Sequence, residues 1–212
     1  MKKKIGVFGG TFDPVHYGHL IFAEQVRSLC GLDKIIFVPA KLPPHKLNDL
    51  LTNIKYRFDM VNMAISSNPN FEISDIEMLS DDVSYTYNTL ASLKTKLGED
   101  FDLYFIVGAD AWLDLEDWFN SEGLLRKFSF IIGDRPGYKE NLVNEKIQDI
   151  YKRYKTNILK IDIPEIEISS SEIRAFVKKG RSIKYLIPEE VEKFINSKNL
   201  YKENCNGNEL EI

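Results

Sequence analysis

The residues of this 212-residue chain best equipped for chemistry lie near its start, in GVFGGTFDPVHYGHL, residues 6–20. Two of its three histidines, His16 and His19, stand three apart there, downstream of Gly9, Gly10 and Thr11. Such a pair can ligate a metal, act as general acid and base, or donate hydrogen bonds to an anion. Zinc asks for three or four ligands, and His45, the one other histidine, has neither an HExxH frame nor a nearby cysteine to complete a set. A serine hydrolase asks for a nucleophile elbow such as GxSxG, which this sequence lacks. The glycines fit neither GxGxxG nor GxxxxGK[ST], so the usual dinucleotide and P-loop readings do not apply. The pattern does fit an anion site at a tight strand-to-helix turn. Gly9 and Gly10 let the backbone approach a ligand, Thr11 adds a hydroxyl, and the amides of the first helical turn point at the anion.

The elements that position these residues follow from hydrophobic patterning. Short β-branched or aromatic runs (KIGVF, KIIFV, FEISD, DLYFIVG, FSFIIG, NILKIDI) alternate with stretches of helical period. Helices are expected from about His19 to Leu29, around IKYRFDMVNMAISS, through NTLASLKTKL, around NEKIQDIYKRY, from Ser170 to Lys179 and from Pro188 onward. Apolar runs separated by helices predict parallel strands buried on both faces, hence an α/β, doubly wound, Rossmann-like sheet with helices on both sides. Ligands in such a sheet gather beyond the carboxyl ends of the strands, where most of the unusual residues fall.

Bulk composition narrows the class. With 43% apolar residues, thirteen Phe and ten Tyr, the chain can bury a substantial core. A net charge of −4 offers no broad basic footprint for nucleic acid, and no apolar run approaches the roughly eighteen residues of a membrane span. The basic start MKKKIGVF imitates a signal peptide, but GGTFDP interrupts its apolar run, so Lys2 to Lys4 read as the solvated lead-in to the first strand. Cys30 and Cys205 form no CxxC pair, which points to a reducing, cytoplasmic compartment. Cys30 reads as a small core residue. A single domain is expected over residues 1–201, with a small helical part at its C-terminal end. Residues 202–212 form a polar tail expected to be disordered.

Further along stand ISSSEIR (Ile168 to Arg174), PPHK (43–46), SYTYNTL (84–90), GAD (108–110), Trp118 and RPG (135–137). Ser169 and Glu172 fit a capping box that gathers hydroxyls and free amides at one helix start, with Arg174 as a fixed cation nearby. On local grounds alone, this segment reads better as an ordinary capped helix. Asp110 reads equally well as a helix cap or as an acceptor for ribose hydroxyls, and Trp112 reads as structural.

GGTFDPVHYGHL resembles the signature of the HxGH nucleotidyltransferase superfamily, and ISSSEIR resembles its second signature, usually ISSTxIR, with Ser171 keeping the threonine hydroxyl. With PPHK, SYT, GAD and Trp118 added, the chain is similar from Lys4 to about Leu200 to the bacterial nicotinate mononucleotide adenylyltransferases. The resemblance implies adenylyl transfer from ATP to nicotinate mononucleotide, giving deamido-NAD and pyrophosphate in NAD biosynthesis. It implies His19 at the α-phosphate, His16 holding the triphosphate and Arg174 at the β- and γ-phosphates. It further implies Gly9, Gly10, Thr11, Phe12, Gly18, Lys46, Gly108, Asp110, Ser170 and Ser171 on the ATP side. On the acceptor side it implies Thr86 at the ring substituent, Trp118 stacked on the pyridine and Arg135 near the carboxylate. Asn88 departs from the Asp that many relatives carry.

An already anionic phosphate nucleophile needs no base, so positioning and charge stabilisation can supply the catalysis, and histidines can donate without a permanent charge. Mg²⁺ is expected to bridge triphosphate oxygens, since no carboxylate cluster offers a cage. The expected partners are the two small substrates, with neither nucleic acid nor membrane, and homo-oligomerisation is left open. The rivals are an adenylyltransferase for nicotinamide mononucleotide or phosphopantetheine, a class I aminoacyl-tRNA synthetase fragment, and a non-catalytic nucleotide sensor. The synthetase reading would require a KMSKS-like lysine loop and a tRNA-binding domain, and neither is visible.

Overall fold

A computed structural model describes residues 2–44, 50–80, 82–134, 140–164 and 166–202. Six strands form one sheet in the order β3-β2-β1-β4-β5-β6. They are β1 (Lys3–Gly10), β2 (Lys34–Pro39), β3 (Phe71–Ile73), β4 (Phe101–Gly108), β5 (Ser129–Asp134) and β6 (Ile158–Asp162). All five pairings are parallel, which obliges each connection to cross over the sheet, mostly through a helix. The helices are α1 (Tyr17–Cys30), α2 (Ile54–Ile65), α3 (Thr86–Leu97), α4 (Ala109–Leu113), α5 (Ser121–Lys127), α6 (Glu140–Tyr154), α7 (Ser170–Lys178) and α8 (Glu189–Ser197). This is the doubly wound order that patterning predicts.

Side chains alternate across the sheet, so each central strand feeds two cores. Ile5 and Val7 of β1, Leu103, Phe105 and Val107 of β4, and Phe130 and Ile132 of β5 pack with Leu90, Leu93, Trp112, Leu124, Val143 and Ile150. The opposite face sets Ile35 and Phe37 of β2, Tyr104 and Ile106 of β4, and Ile131 of β5 against Val26, Met60, Val61, Ile173, Val191 and Ile195. Each fully buried aliphatic or aromatic side chain contributes about 1.5–3 kcal/mol, and burial on both faces explains strands with no polar alternation. Trp112 is wholly buried against Phe130, as the structural reading expects, and the partly buried Cys30 packs on the edge of the second core.

Two local outcomes differ from the sequence expectation. Gly9 and Gly10 do not make the turn; they continue β1, in register with Val38 and Pro39. The left-handed residue of the connection is Phe12, with φ of 48°, a conformation costly for a bulky side chain. Its ring is wedged among Phe8, Phe37 and His19, with centroids 5.5, 5.8 and 5.0 Å away. Gly10 is needed because a Cβ there would stand 2.9 Å from that ring. Helix α1 starts at Tyr17 rather than His19, which makes His16 its N-cap residue.

The sheet also opens where ligands are expected. β1 pairs with β4 only as far as Val7 opposite Phe105, yet continues along β2 to Gly10 opposite Pro39. The two central strands therefore part before their carboxyl ends, and a crevice forms between them at the point where strand order reverses.

Candidate active site

Two cavities occupy that end of the sheet, with the β1–α1 connection between them. The first, about 360 Å³, is lined by His16, Gly18, His19, Gly108, Asp110 and Asp134 among others. Its apolar wall comes from Phe8, Phe22, Ile163 and Ile168. The second, about 600 Å³, is lined by Gly9, Gly10, Thr11, Glu77, Thr86 and Trp118, with Tyr85, Phe105 and Phe119 adding aromatic surface. The structure thus divides the residues implied for ATP. Gly9, Gly10 and Thr11 face the cavity that holds Thr86 and Trp118, whereas the two histidines face the other. Phe12 lines neither, because its ring is buried. Lys46, His45, Arg135 and Cys205 fall outside the described residues.

The histidine pair is held by its own backbone. The His16 N–H donates to Nδ1 of His19 at 3.3 Å, so neutral His19 carries its proton on Nε2, where it can donate. The two rings stack with centroids 3.7 Å apart. Gly18 permits this arrangement: a Cβ there would lie 2.9 Å from Nδ1 of His16. The His16 carbonyl accepts from the His19 and Leu20 amides at 3.0 and 3.3 Å, opening α1, and leaves the positive end of that helix at the first cavity.

Burial pushes the His16 imidazole down to about 4. Burial, then the proximity of His16, holds His19 well below the usual imidazole range. Both rings are therefore neutral at pH 7, with one N–H each. The unfolded chain binds protons at these rings near pH 6.5 and the folded chain does not. Stability linked to His16 is thus full above about pH 6.5 and is lost as pH falls toward 4, by up to about 3 kcal/mol. Urea denaturation of the wild type at pH 7, 5.5 and 4.5 is expected to show that decline, and His16→Gln a shallower one. Identical slopes would refute the assignment.

Segments distant in sequence brace the loop. Ser170 Oγ donates to the Pro14 carbonyl at 2.8 Å, and Arg174 Nη1 to the Asp13 carbonyl at 2.6 Å. Ser169 caps α7 by accepting from the Glu172 amide at 3.2 Å, and its hydroxyl donates to Glu172 Oε2 at 2.8 Å. Ser171 is exposed on the first turn.

Sequence reading missed several contributors. Arg57, 1% exposed, donates from Nε to the Thr52 carbonyl at 2.8 Å, and from Nη1 to the carbonyls of Thr11 and Ala40 at 2.7 and 2.6 Å. Nη2 reaches the Lys41 carbonyl at 3.4 Å. A signal for it existed: Arg57 shares the apolar stripe of α2 with Met60, Val61 and Ala64, all buried. Glu77, whose carboxyl burial pushes up, accepts from Thr89 Oγ1 at 2.6 Å. It thereby fastens the start of α3 that carries Thr86. Ser84 and Leu42 exchange two hydrogen bonds, each of 3.0 Å, joining the segment before Thr86 to the loop after β2. Tyr85 and Phe119 stack at 4.3 Å over the second cavity, and Trp118 meets Phe105 edge-on at 6.0 Å.

Known proteins resemble this chain along most of its length. Residues 7–176 match the family model described as cytidylyltransferase-like. The chain is 46% identical over 199 residues to a protein of Thermoanaerobacter sp. (strain X514), covering 94% of each. It is 42% identical over 204 residues to one of Moorella thermoacetica, covering 96% of this chain and 94% of the other. Both carry the name "Probable nicotinate-nucleotide adenylyltransferase". Among solved structures, Plasmodium falciparum nicotinic acid mononucleotide adenylyltransferase complexed with NaAD superposes with a TM-score of 0.76 at 27% identity, over 94% of this chain and 97% of that one.

Proposed function

We propose that this chain, which belongs to the cytidylyltransferase-like family and within it to the nicotinate-nucleotide adenylyltransferases, transfers the adenylyl group of ATP to nicotinate mononucleotide. The observation that carries the reading is the pair of cavities separated by one loop, with neutral histidine donors on one side and an aromatic, threonine-lined pocket on the other. Adenosine is assigned to the first cavity, where Asp110 can accept from ribose hydroxyls and Phe8 and Ile168 offer apolar wall. The pyridine ring is assigned to the second, against Trp118 and Thr86. The two phosphates then meet at the connection that both cavities share.

There a phosphate oxygen of the mononucleotide forms a bond to the α-phosphorus of ATP. The bond from that phosphorus to the bridging oxygen breaks, and pyrophosphate leaves with the electron pair. Nε2–H of His19 donates to the phosphoryl oxygens as charge builds on them, and His16 and Arg174 hold the departing diphosphate. No proton has to be removed, so depressed histidine pKa values suit donors that stay neutral. Among the described residues, no three His, Cys, Asp or Glu side chains gather into a metal site. Mg²⁺ is assigned to arrive with ATP, where it would neutralise triphosphate charge. Lys46 and Arg135 are assigned to anionic groups of the substrates, Ser170, Ser171 and Gly108 to the ATP side. Among the described residues no helix is long and apolar enough to cross a membrane, and the unpaired spacing of the cysteines favours the cytoplasm.

Pyrophosphate release with Mg²⁺–ATP and nicotinate mononucleotide, nicotinamide mononucleotide or phosphopantetheine tests the reading. Turnover is expected with the first acceptor at a kcat/KM at least about tenfold above the others, the scale of one lost charge-assisted contact. Preference for phosphopantetheine, or no product with any acceptor, would overturn it.

A further inference from the structure

Asp13 lies in the connecting loop yet lines neither cavity. The residue is 3% exposed. Oδ1 accepts the Tyr201 hydroxyl at 2.6 Å, and Oδ2 accepts the Thr52 amide at 3.2 Å. Its own carbonyl accepts Nη1 of Arg174 at 2.6 Å. One residue of the loop thus joins the end of the described chain to the guanidinium assigned to the triphosphate. Tyr201 itself sits in the left-handed region, at φ of 62°, a strained placement for a non-glycine residue that persists only where surrounding contacts fix it. The preceding Leu200 amide closes α8 on the Ile195 carbonyl at 3.0 Å.

We propose that Tyr201 is a positioning residue for adenylyl transfer: through Asp13 it fixes the phosphate loop and the guanidinium of Arg174. The inference rests on the function proposed above. Burial, and then the Asp13 carboxylate, push the Tyr201 hydroxyl well above the ordinary tyrosine range, so it remains a donor at any working pH. Without that donor, Asp13 Oδ1 is left buried and unmatched, while its carboxylate helps keep the nearby Arg57 guanidinium charged. Leaving a buried charged acceptor unmatched is costly, and a turn of the Asp13 side chain toward another donor would shift its own backbone. The carbonyl that orients Arg174 belongs to that backbone. The second cavity is held by different bonds, those of Arg57 to the Thr11 and Ala40 carbonyls and of Glu77 to Thr89. Damage is therefore expected first on the ATP side.

The test is a double-mutant cycle of Tyr201→Phe with Arg174→Ala, read as kcat/KM for ATP, KM for nicotinate mononucleotide and ATP affinity by calorimetry. Tyr201→Phe keeps the ring and is expected to stay folded by circular dichroism. It is expected to lower kcat/KM for ATP by about tenfold or more, the scale of a small misplacement, with KM for the mononucleotide unchanged within about twofold. In the Arg174→Ala background the same change is expected to cost less than about twofold, because the pathway it acts through is gone. Asp13→Asn, which keeps an acceptor for the Thr52 amide but turns an N–H toward the Tyr201 hydroxyl, is expected to show the same non-additivity. It serves as the second reading if Tyr201→Phe folds poorly. Full additivity with Arg174→Ala in both cycles would overturn the proposal, as would a folded Tyr201→Phe enzyme of unchanged kcat/KM. Turnover and calorimetry together separate the two readings: if the wild type binds ATP yet turns over no acceptor, the functional assignment fails, while folded Tyr201→Phe and Asp13→Asn with both kcat/KM and ATP affinity unaltered sink the positioning role by itself.

Discussion

Replacing His19 by alanine is expected to lower kcat by about 10²–10³-fold, the usual loss when one preorganised donor to a developing charge is removed. The physical case rests on how completely this ring is prepared. Its Nδ1 is already engaged by the His16 amide, its ring is set against Phe8 and Phe12, and its proton is therefore committed to Nε2 before substrate arrives. Burial keeps it uncharged, so it adds nothing that must be reorganised during the reaction. KM for both substrates is expected to change much less than kcat. Single-turnover quench-flow with saturating ATP is the appropriate measurement, since it isolates the chemical step from product release. A variant whose chemical step runs within threefold of the wild type would remove His19 from the mechanism. Loss of the His16 contact is not expected to unfold the helix start, because the His16 carbonyl still accepts from the residue 19 and Leu20 amides.

The largest expected effect on stability belongs to Arg57. Arg57→Met preserves much of the volume but leaves the carbonyls of Thr11, Ala40 and Thr52 without their buried donor and Asp13 without a neighbouring cation. Removing one partner from a buried polar arrangement costs about 3–5 kcal/mol, a large share of a typical domain's stability. The urea midpoint is expected to fall accordingly with the slope unchanged. Arg57→Lys is expected to recover less than half of the loss, because an ammonium cannot span carbonyls contributed by two separate loops as the planar fork does. A midpoint for Arg57→Met equal to that of the wild type would mean that those carbonyls find other donors.

What could be seen in the sequence was whatever has a local period or a local spacing. Strands buried on both faces show as unbroken apolar runs, so DLYFIVG and FSFIIG announce the centre of a parallel sheet. The Ser169 cap and the histidine spacing are likewise written within a few residues. Features that depend on distant partners were hidden. Tyr201 and Asp13 are joined across 188 positions, and nothing near either residue marks the bond. The glycines were read as clearing space for a ligand at the strand-to-helix turn, but here the strand carries on through them and Phe12 takes the left-handed position, held by an aromatic cluster that no local pattern encodes. The same limit hid the division of the loop between two cavities, since it follows from where β1 leaves β4.

That parting has a consequence for how such a molecule can change over time. Because the strands separate after Val7, the two cavities are lined by different sets of side chains, and under the proposed assignment donor and acceptor would be read independently across a thin partition of backbone. Substitutions at Tyr85, Trp118 or Phe119 can re-specify the acceptor without disturbing the histidines, and the reverse holds for Phe22 or Ile168. Under that assignment the chemistry would stay with the partition, while each recognition surface would be free to drift on its own side of it.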